Sequence, residues 1–386
     1  MRFSHRTPDD LSHNAIAQAV ETSPQPILDL TQSNPTLCGF DYPPNLLKEL
    51  SSSEALTYDP QAFGTLKARQ IVARHLSSID HSVNPENLVL TASTSEAYSY
   101  LFKLLGNPGD AFLVPTPGYP LLDHLLHLEG LELNPYHFQI QPEWPVDLVK
   151  LEGLFTPKTK GIITINPHNP TGAFLSEKDQ EALLNLCEKH SMVYLSDEVF
   201  SDFVYGDKPR RVQNPKVLTF RLGGLSKSLG LPQLKLSWIE IQGPEDMVRV
   251  CKERLELIAD TYLSVNTPVQ VALEDILDFA PNIQNQIKTR LLCNQKQLET
   301  TLTGLQTVKM WPAQGGWYAL VEVLREGVKE DELVIRLLKE HQVLVQPGGF
   351  YDFPTGSFLV ISLLPQTYLF ETGVTRLRKF LEKLKF

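Results

Sequence analysis

Gly161-Ile-Ile-Thr-Ile-Asn-Pro-His-Asn-Pro-Thr-Gly172 is the stretch on which the reading of the fold turns. Its first five residues make a short run, rich in isoleucine, of the kind that forms a strand buried on both faces. Two Asn-Pro pairs and a glycine follow at once and force an irregular turn. In open α/β sheets the carboxyl end of a strand is where ligands sit. Comparable short runs lie on either side, at Leu88–Thr91, Ala111–Val114, Met192–Leu195, Val217–Leu222 and Leu236–Ile241. Amphipathic stretches separate them, as at 176–190, where Ser176 is placed to cap a helix with Asp179 near it. Strand–helix alternation predicts an α/β fold: a mostly parallel sheet covered by helices on both faces.

The last third reads differently. A long helical pattern covers 268–303, with further helical patterns at 329–341 and 368–385. Strand-like segments fall at Gly316–Val323, Val343–Val345 and Phe358–Leu363. These predict a smaller α+β domain. The Pro- and polar-rich N-terminal stretch is expected to pack on it. The expected division is a large domain over 45–265 and a small domain from 1–44 and 266–386.

Composition narrows the function. The chain has 386 residues, 42% of them hydrophobic and 21% charged, which fits a globular enzyme and not a disordered chain. The net charge of −10, with no basic run, argues against nucleic acid as a partner. An anionic ligand must therefore be held by a local site. The four cysteines, Cys38, Cys187, Cys251 and Cys293, form no CxxC pair and no disulfide framework, so a reducing, cytoplasmic setting is expected. No signal-peptide core and no apolar run of membrane-spanning length occurs in the sequence. His124 and His127 share a helix face, but no carboxylate or cysteine completes a metal site, so no metal is expected.

Four segments carry candidate chemistry. Leu88-Val-Leu-Thr-Ala-Ser-Thr-Ser-Glu-Ala97 ends a strand and opens a helix with Ser93, Thr94 and Ser95. Free N–H groups and hydroxyls there suit an anion, although capping alone accounts for such residues. The Asn166–Gly172 turn is the second segment. In the third, Leu195-Ser-Asp-Glu-Val-Phe-Ser-Asp202, Asp197 ends an apolar strand, where its charge needs a cation or solvent. A cofactor's positive ring nitrogen would serve; so would a surface ion pair. In the fourth, Leu222-Gly-Gly-Leu-Ser-Lys-Ser-Leu-Gly-Leu-Pro232, Lys227 sits in a loop flanked by Gly and Ser. A desolvated lysine there would lose its proton readily and act as an amine nucleophile. Neither GxxxxGK[ST] nor GxGxxG is present, which counts against nucleotide folds.

In this order the four segments resemble the class I/II aminotransferases, the fold-type I pyridoxal-phosphate enzymes. Leu28-Asp-Leu-Thr-Gln-Ser-Asn-Pro35, Tyr58-Asp-Pro-Gln-Ala-Phe-Gly64 and Val114-Pro-Thr-Pro-Gly-Tyr119 extend the resemblance over nearly the whole chain. It implies a large domain with a seven-stranded, mostly parallel sheet and a smaller α+β domain from both chain ends. It implies pyridoxal 5'-phosphate as cofactor. Lys227 would form the Schiff base and then transfer protons. Asp197 would hold the ring N–H, and Asn169 would donate to the phenolic oxygen. Tyr119 would stack on the ring. Ser93, Thr94, Ser95, Ser226 and Lys235 would hold the phosphate, joined by Tyr58 from a neighbouring subunit in a homodimer with shared active sites. Asn34, Asn169 and Trp317 are candidates for the substrate side.

The chain departs from the family at several positions. Phe200 stands where a tyrosine is usual, Lys235 where an arginine is usual, and Gly224 where a serine often stands. The arginine that clamps a substrate α-carboxylate is missing: Val360 occupies its aligned position, and no Arg or Lys lies between Gln346 and Thr375. The expected activity is transfer of an amino group from an amino acid (or amine) to a 2-oxo acid. The alternatives are a β-lyase or decarboxylase on the same scaffold, and a regulatory protein without turnover.

Overall fold

The computed structural model describes residues 3–8, 11–77, 82–207, 210–325, 327 and 329–384. Its strands begin with β1 (Leu28–Asp29), β2 (Leu88–Thr91), β3 (Ala111–Thr116), β4 (Glu132–His137), β5 (Thr159–Ile165), β6 (Val193–Asp197), β7 (Thr219–Gly224) and β8 (Ser237–Gln242). They continue with β9 (Val308–Trp311), β10 (Tyr318–Val323), β11 (Val343–Leu344), β12 (Gln346–Pro347) and β13 (Phe358–Ser362). Strands β2 to β8 form one seven-stranded sheet in the order β2-β8-β7-β6-β5-β3-β4. Every residue of β2, β6 and β7 is buried, as two-sided coverage requires.

Two features of this sheet differ from the sequence reading. Strand β4 was not foreseen: it lies at the edge, is largely solvent-facing and contains Pro135, so it lacks an apolar run. Strand β8 pairs antiparallel with both β2 and β7, although its apolar run reads like that of a parallel strand. Burial on both faces sets the composition of a strand, not its direction.

Alternation along the strands divides the core. Phe112, Ile163 and Phe220 pack beneath the helices Thr94–Leu105 and Glu245–Tyr262 with Leu101 and Leu255. Leu113 and Ile162 face the other way, onto Leu183 of the helix Glu177–His190. That helix starts as expected, with the Ser176 hydroxyl accepting from the Asp179 N–H at 3.0 Å.

The remaining strands build a four-stranded sheet, β12-β13-β10-β9, and a two-stranded parallel pair, β1 with β11. Leu28 pairs with Val343 there, tying the N-terminal segment to the last third of the chain. Strand β9 was not foreseen. The helical pattern over 268–303 resolves into three helices, Thr267–Val271, Leu273–Asp278 and Ala280–Leu302. Pro281 explains the last break: proline lacks an N–H and is accommodated in the first turn of a new helix. The final helix runs Thr367–Glu382, and Lys385, the expected end, lies outside the described residues.

One loop clamps the two sheets together next to the cavity. The Gly172 carbonyl accepts from the N–H groups of Gln314 at 2.9 Å and Gly315 at 3.0 Å. Gln314 returns its Oε1 to the Phe174 N–H at 2.7 Å. Gly172 has φ +69°, and a Cβ on it would lie 2.6 Å from the Gly315 carbonyl oxygen. Gly172→Ala should therefore destabilise the protein by about 2–4 kcal/mol, from left-handed backbone strain and overpacking. Chemical denaturation measures this; a loss below about 1 kcal/mol would mean that the clamp yields easily.

Candidate active site

The carboxyl ends of β2, β3, β5, β6 and β7 all open onto one cavity of about 410 Å³. Each parallel strand delivers one sequence motif to it, because parallel neighbours end on the same side of the sheet. The turn after β5 brings Asn169, and β6 ends on Asp197. The short helix Leu225–Ser228 after β7 carries Ser226 and Lys227. The helix after β2 presents Thr94 and Ser95, and the segment after β3 presents Tyr119.

Asp197 is 7% exposed. Its carboxylate accepts from the Tyr98 hydroxyl at 3.0 Å and from the Val199 N–H at 3.1 Å. Burial pushes its pKa up to about 6, opposed by those two hydrogen bonds and by the charge of Lys227. Burial also lowers the Lys227 pKa, against the pull of Asp197. The Lys227 Nζ sits 5.0 Å from the centre of the Trp317 ring and 5.7 Å from that of Phe200. Asn169 is buried, and its Oδ1 has no hydrogen-bond partner among the described residues. A buried carboxyl, a lysine and a buried amide oxygen without a partner thus share one cavity, an arrangement common at catalytic sites.

A profile of the family "Aminotransferase class I and II" matches residues 25–367. The chain belongs to this family. A tyrosine aminotransferase of mouse is 27% identical over 402 residues, which cover 97% of this chain and 87% of the relative. A glutamate-pyruvate aminotransferase of Escherichia coli is 25% identical over 378 residues, covering 95% and 93%. The fold matches that of an alanine aminotransferase from Pyrococcus furiosus with a TM-score of 0.89 at 23% identity, over 99% of this chain and all of the other. The protein is an aminotransferase, and nothing in these likenesses favours the lyase or decarboxylase alternative.

Within this aminotransferase, five of the sequence-predicted residues lie outside the cavity. The Ser93 hydroxyl accepts from the Glu96 N–H at 3.1 Å and so serves as the helix cap. Lys235 is exposed, on a left-handed residue with φ 52° that follows a short 3-10 turn. Tyr58 is 72% exposed. Asn34 is exposed, and its Oδ1 is taken by the Thr36 N–H at 3.1 Å and the Thr36 hydroxyl at 2.7 Å. Trp317 is fully buried, with its ring under Lys227, and does not line the cavity.

The residues that the sequence reading missed are next to the ones it chose. Ser33 lines the cavity in place of Asn34, and Tyr318 in place of Trp317. Tyr318 opens β10, where one position decides which face a side chain takes; Ser33 and Asn34 lie in a loop, where the Asn34 side chain turns back onto Thr36. Burial raises the Tyr318 phenol, opposed by a hydrogen bond with Ser33. Gln346 and Tyr351 also line the cavity, and the Tyr351 hydroxyl donates to the Gln346 Oε1. Gln346 sits directly opposite Val360 across β12 and β13, and Val360 is fully buried. Ser33, Tyr318, Gln346 and Tyr351 are polar without a formal charge, and among the described lining residues Lys227 is the one lysine or arginine.

The raised Asp197 pKa has a consequence for the protein without ligand. An ordinary aspartate has a pKa of 3.8, so between that value and about 6 the folded state holds a proton that the unfolded chain releases. Stability from this group is lost as pH rises through that window. Asp197→Asn should make the ligand-free protein more stable at pH 7.5, by on the order of 2–3 kcal/mol, with the gain vanishing below pH 4. Urea denaturation at the two pH values tests this, and equal stability of mutant and wild type at pH 7.5 would contradict it.

Proposed function

We propose that this aminotransferase uses pyridoxal 5'-phosphate, attached at Lys227, to move an amino group from an amino acid to a 2-oxo acid. The observation that carries the reading is the pairing across one cavity of a buried carboxylate, Asp197, with a largely buried lysine, Lys227, whose pKa burial lowers. The residues present suit the cofactor. A pyridinium N–H beside Asp197 answers the need of a buried carboxylate for a cation. Asn169 lines the same space, and the NH2 of its side-chain amide suits the ring's phenolic oxygen as a donor. Thr94, Ser95 and the N–H groups of their helix start suit a phosphate.

When bound, pyridoxal phosphate supplies an aldehyde that accepts the amino group and a ring that takes up the electron pair left at the donor's Cα. The protein's part is to orient and to move protons. Asp197 holds the ring nitrogen protonated. Lys227, with its pKa lowered by burial, carries the proton removed from the donor's Cα. Tyr98 holds the Asp197 carboxylate in place through its 3.0 Å hydrogen bond. Tyr119 is suited to cover one face of the ring.

The donor's carboxylate would meet neutral groups: Asn169, Ser33, Tyr318 and the Gln346–Tyr351 pair. Losing a charged bidentate contact weakens binding by about 2–4 kcal/mol. Common amino acids should therefore saturate the enzyme only weakly, at roughly millimolar levels. A donor–acceptor screen that follows the cofactor's visible band in single turnovers tests the reading. Borohydride reduction followed by peptide mapping should place the label on Lys227, and Lys227→Ala should abolish it. A label on another lysine, or conversion by amines and by no α-amino acid, would refute the corresponding half of the proposal.

The same reading makes the enzyme a homodimer in which the exposed Tyr58 reaches the phosphate of the partner's site. It also keeps the division into a large domain at 45–265 and a small domain from both chain ends. Analytical ultracentrifugation at micromolar concentration should give a dimer; a fully active monomer would rule out the Tyr58 role. The four free cysteines support a reducing, cytoplasmic setting.

A further inference from the structure

We propose that Ser237 is an anion-binding residue of the cofactor site, its hydroxyl holding the phosphate of pyridoxal phosphate in place of the side chain that position 224 lacks. The inference rests on the reading that this cavity takes pyridoxal phosphate. It is carried by the one strand of the large sheet that runs against its neighbours on both sides. Because β8 is antiparallel to β2 and β7, its first residue lies where those strands have their carboxyl ends. Ser237 is that residue: it pairs with Thr91 of β2 on one side and with Gly224 of β7 on the other.

Thr91 lies two residues before the helix cap Ser93, and Gly224 three residues before Lys227. Ser237 thus stands between the start of a 12-residue helix and the lysine turn. It is 1% exposed, yet it lines the cavity together with Thr94, Ser95, Ser226 and Lys227. Nothing among the described residues hydrogen-bonds its hydroxyl. A hydroxyl of a buried serine, open to the cavity and without a protein partner, beside the N–H groups of a helix start is a donor set that an anion satisfies.

The glycine opposite explains how the serine fits. A Cβ on Gly224 would lie 2.2 Å from the Ser237 Oγ and 2.8 Å from its Cβ. Positions 224 and 237 therefore share the volume of one small side chain. Either can carry a hydroxyl only if the other is glycine. Related aminotransferases often have serine at the position of Gly224; here the hydroxyl has crossed the ladder to β8. With Lys235 exposed and outside the cavity, hydroxyl donors carry more of the contact with the anion.

The test compares pyridoxal phosphate with pyridoxal, which lacks the phosphate, on wild type, Ser237→Ala and the exchange Gly224→Ser with Ser237→Gly. Affinity is read on reconstitution of the cleared protein, and the rate of cofactor loss from the holoenzyme is read by dialysis. Ser237→Ala should weaken pyridoxal phosphate by roughly tenfold or more, as loss of a hydrogen bond to a charged group implies, and leave pyridoxal unchanged. The exchange should restore the phosphate-dependent part, and Gly224→Ser alone should lower the melting temperature through the clash. Unchanged affinity in Ser237→Ala, an equal loss for both ligands, or a folded exchange variant without recovery would overturn the proposal while leaving the cofactor reading intact. If the wild-type protein binds neither ligand, the cofactor reading itself falls.

Discussion

A carboxylate at the end of a buried strand sets the terms for the centre of this molecule. Asp197 closes β6, the middle strand of the seven, and the residues around it leave its charge little water. Two hydrogen bonds, from Tyr98 and Val199, only partly offset burial, so the carboxyl holds its proton to about pH 6. A cationic ligand group at this point relieves the strain in the electrostatics, and Lys227 across the cavity is shifted by the same burial in the opposite sense. Folding thus creates an unfavourable pair of environments, which the proposed cofactor would resolve on binding.

The sheet supplies the geometry that the electrostatics need. Four parallel strands, β3, β5, β6 and β7, end on one side of it, and the antiparallel β8 brings its beginning to the same place. Segments far apart in the chain therefore converge without long loops. The Gly172 clamp then joins this edge to the β9–β10 connection, which brings Trp317 under the lysine and Tyr318 into the cavity. The ring beneath Lys227 and one wall of the cavity consequently come from adjacent residues, Trp317 just before β10 and Tyr318 at its start.

The uncharged end of the cavity gives this chain its own character within the family. Where an arginine is usual, Val360 is buried against a core that includes Trp311 and Leu320, and the facing position holds Gln346 bonded to Tyr351. Phenols and an amide offer directional hydrogen bonds without a net charge. On the proposed function, such a wall would discriminate by shape and by hydrogen-bond pattern more than by attraction for a carboxylate.

The sequence alone determined the alternation of strand and helix, the order of the motifs and the identity of the residues at strand ends, because each is a local property. A buried strand must be apolar, and a turn after it must carry Asn, Pro or Gly. Asn169, Asp197 and Lys227 were legible for that reason, and the structure brings them to one cavity. Three kinds of decision were left to tertiary structure. The direction of β8 depends on its neighbours, since a strand covered on both faces has the same composition either way. The polar edge strand β4 is a strand because β3 offers it a ladder, not because its residues demand one. And the choice of Ser33 over Asn34 turns on the loop bond that ties Asn34 to Thr36, while that of Tyr318 over Trp317 turns on where β10 begins. At a strand's start a shift of one position reverses the face a side chain takes while leaving the local sequence pattern almost unchanged.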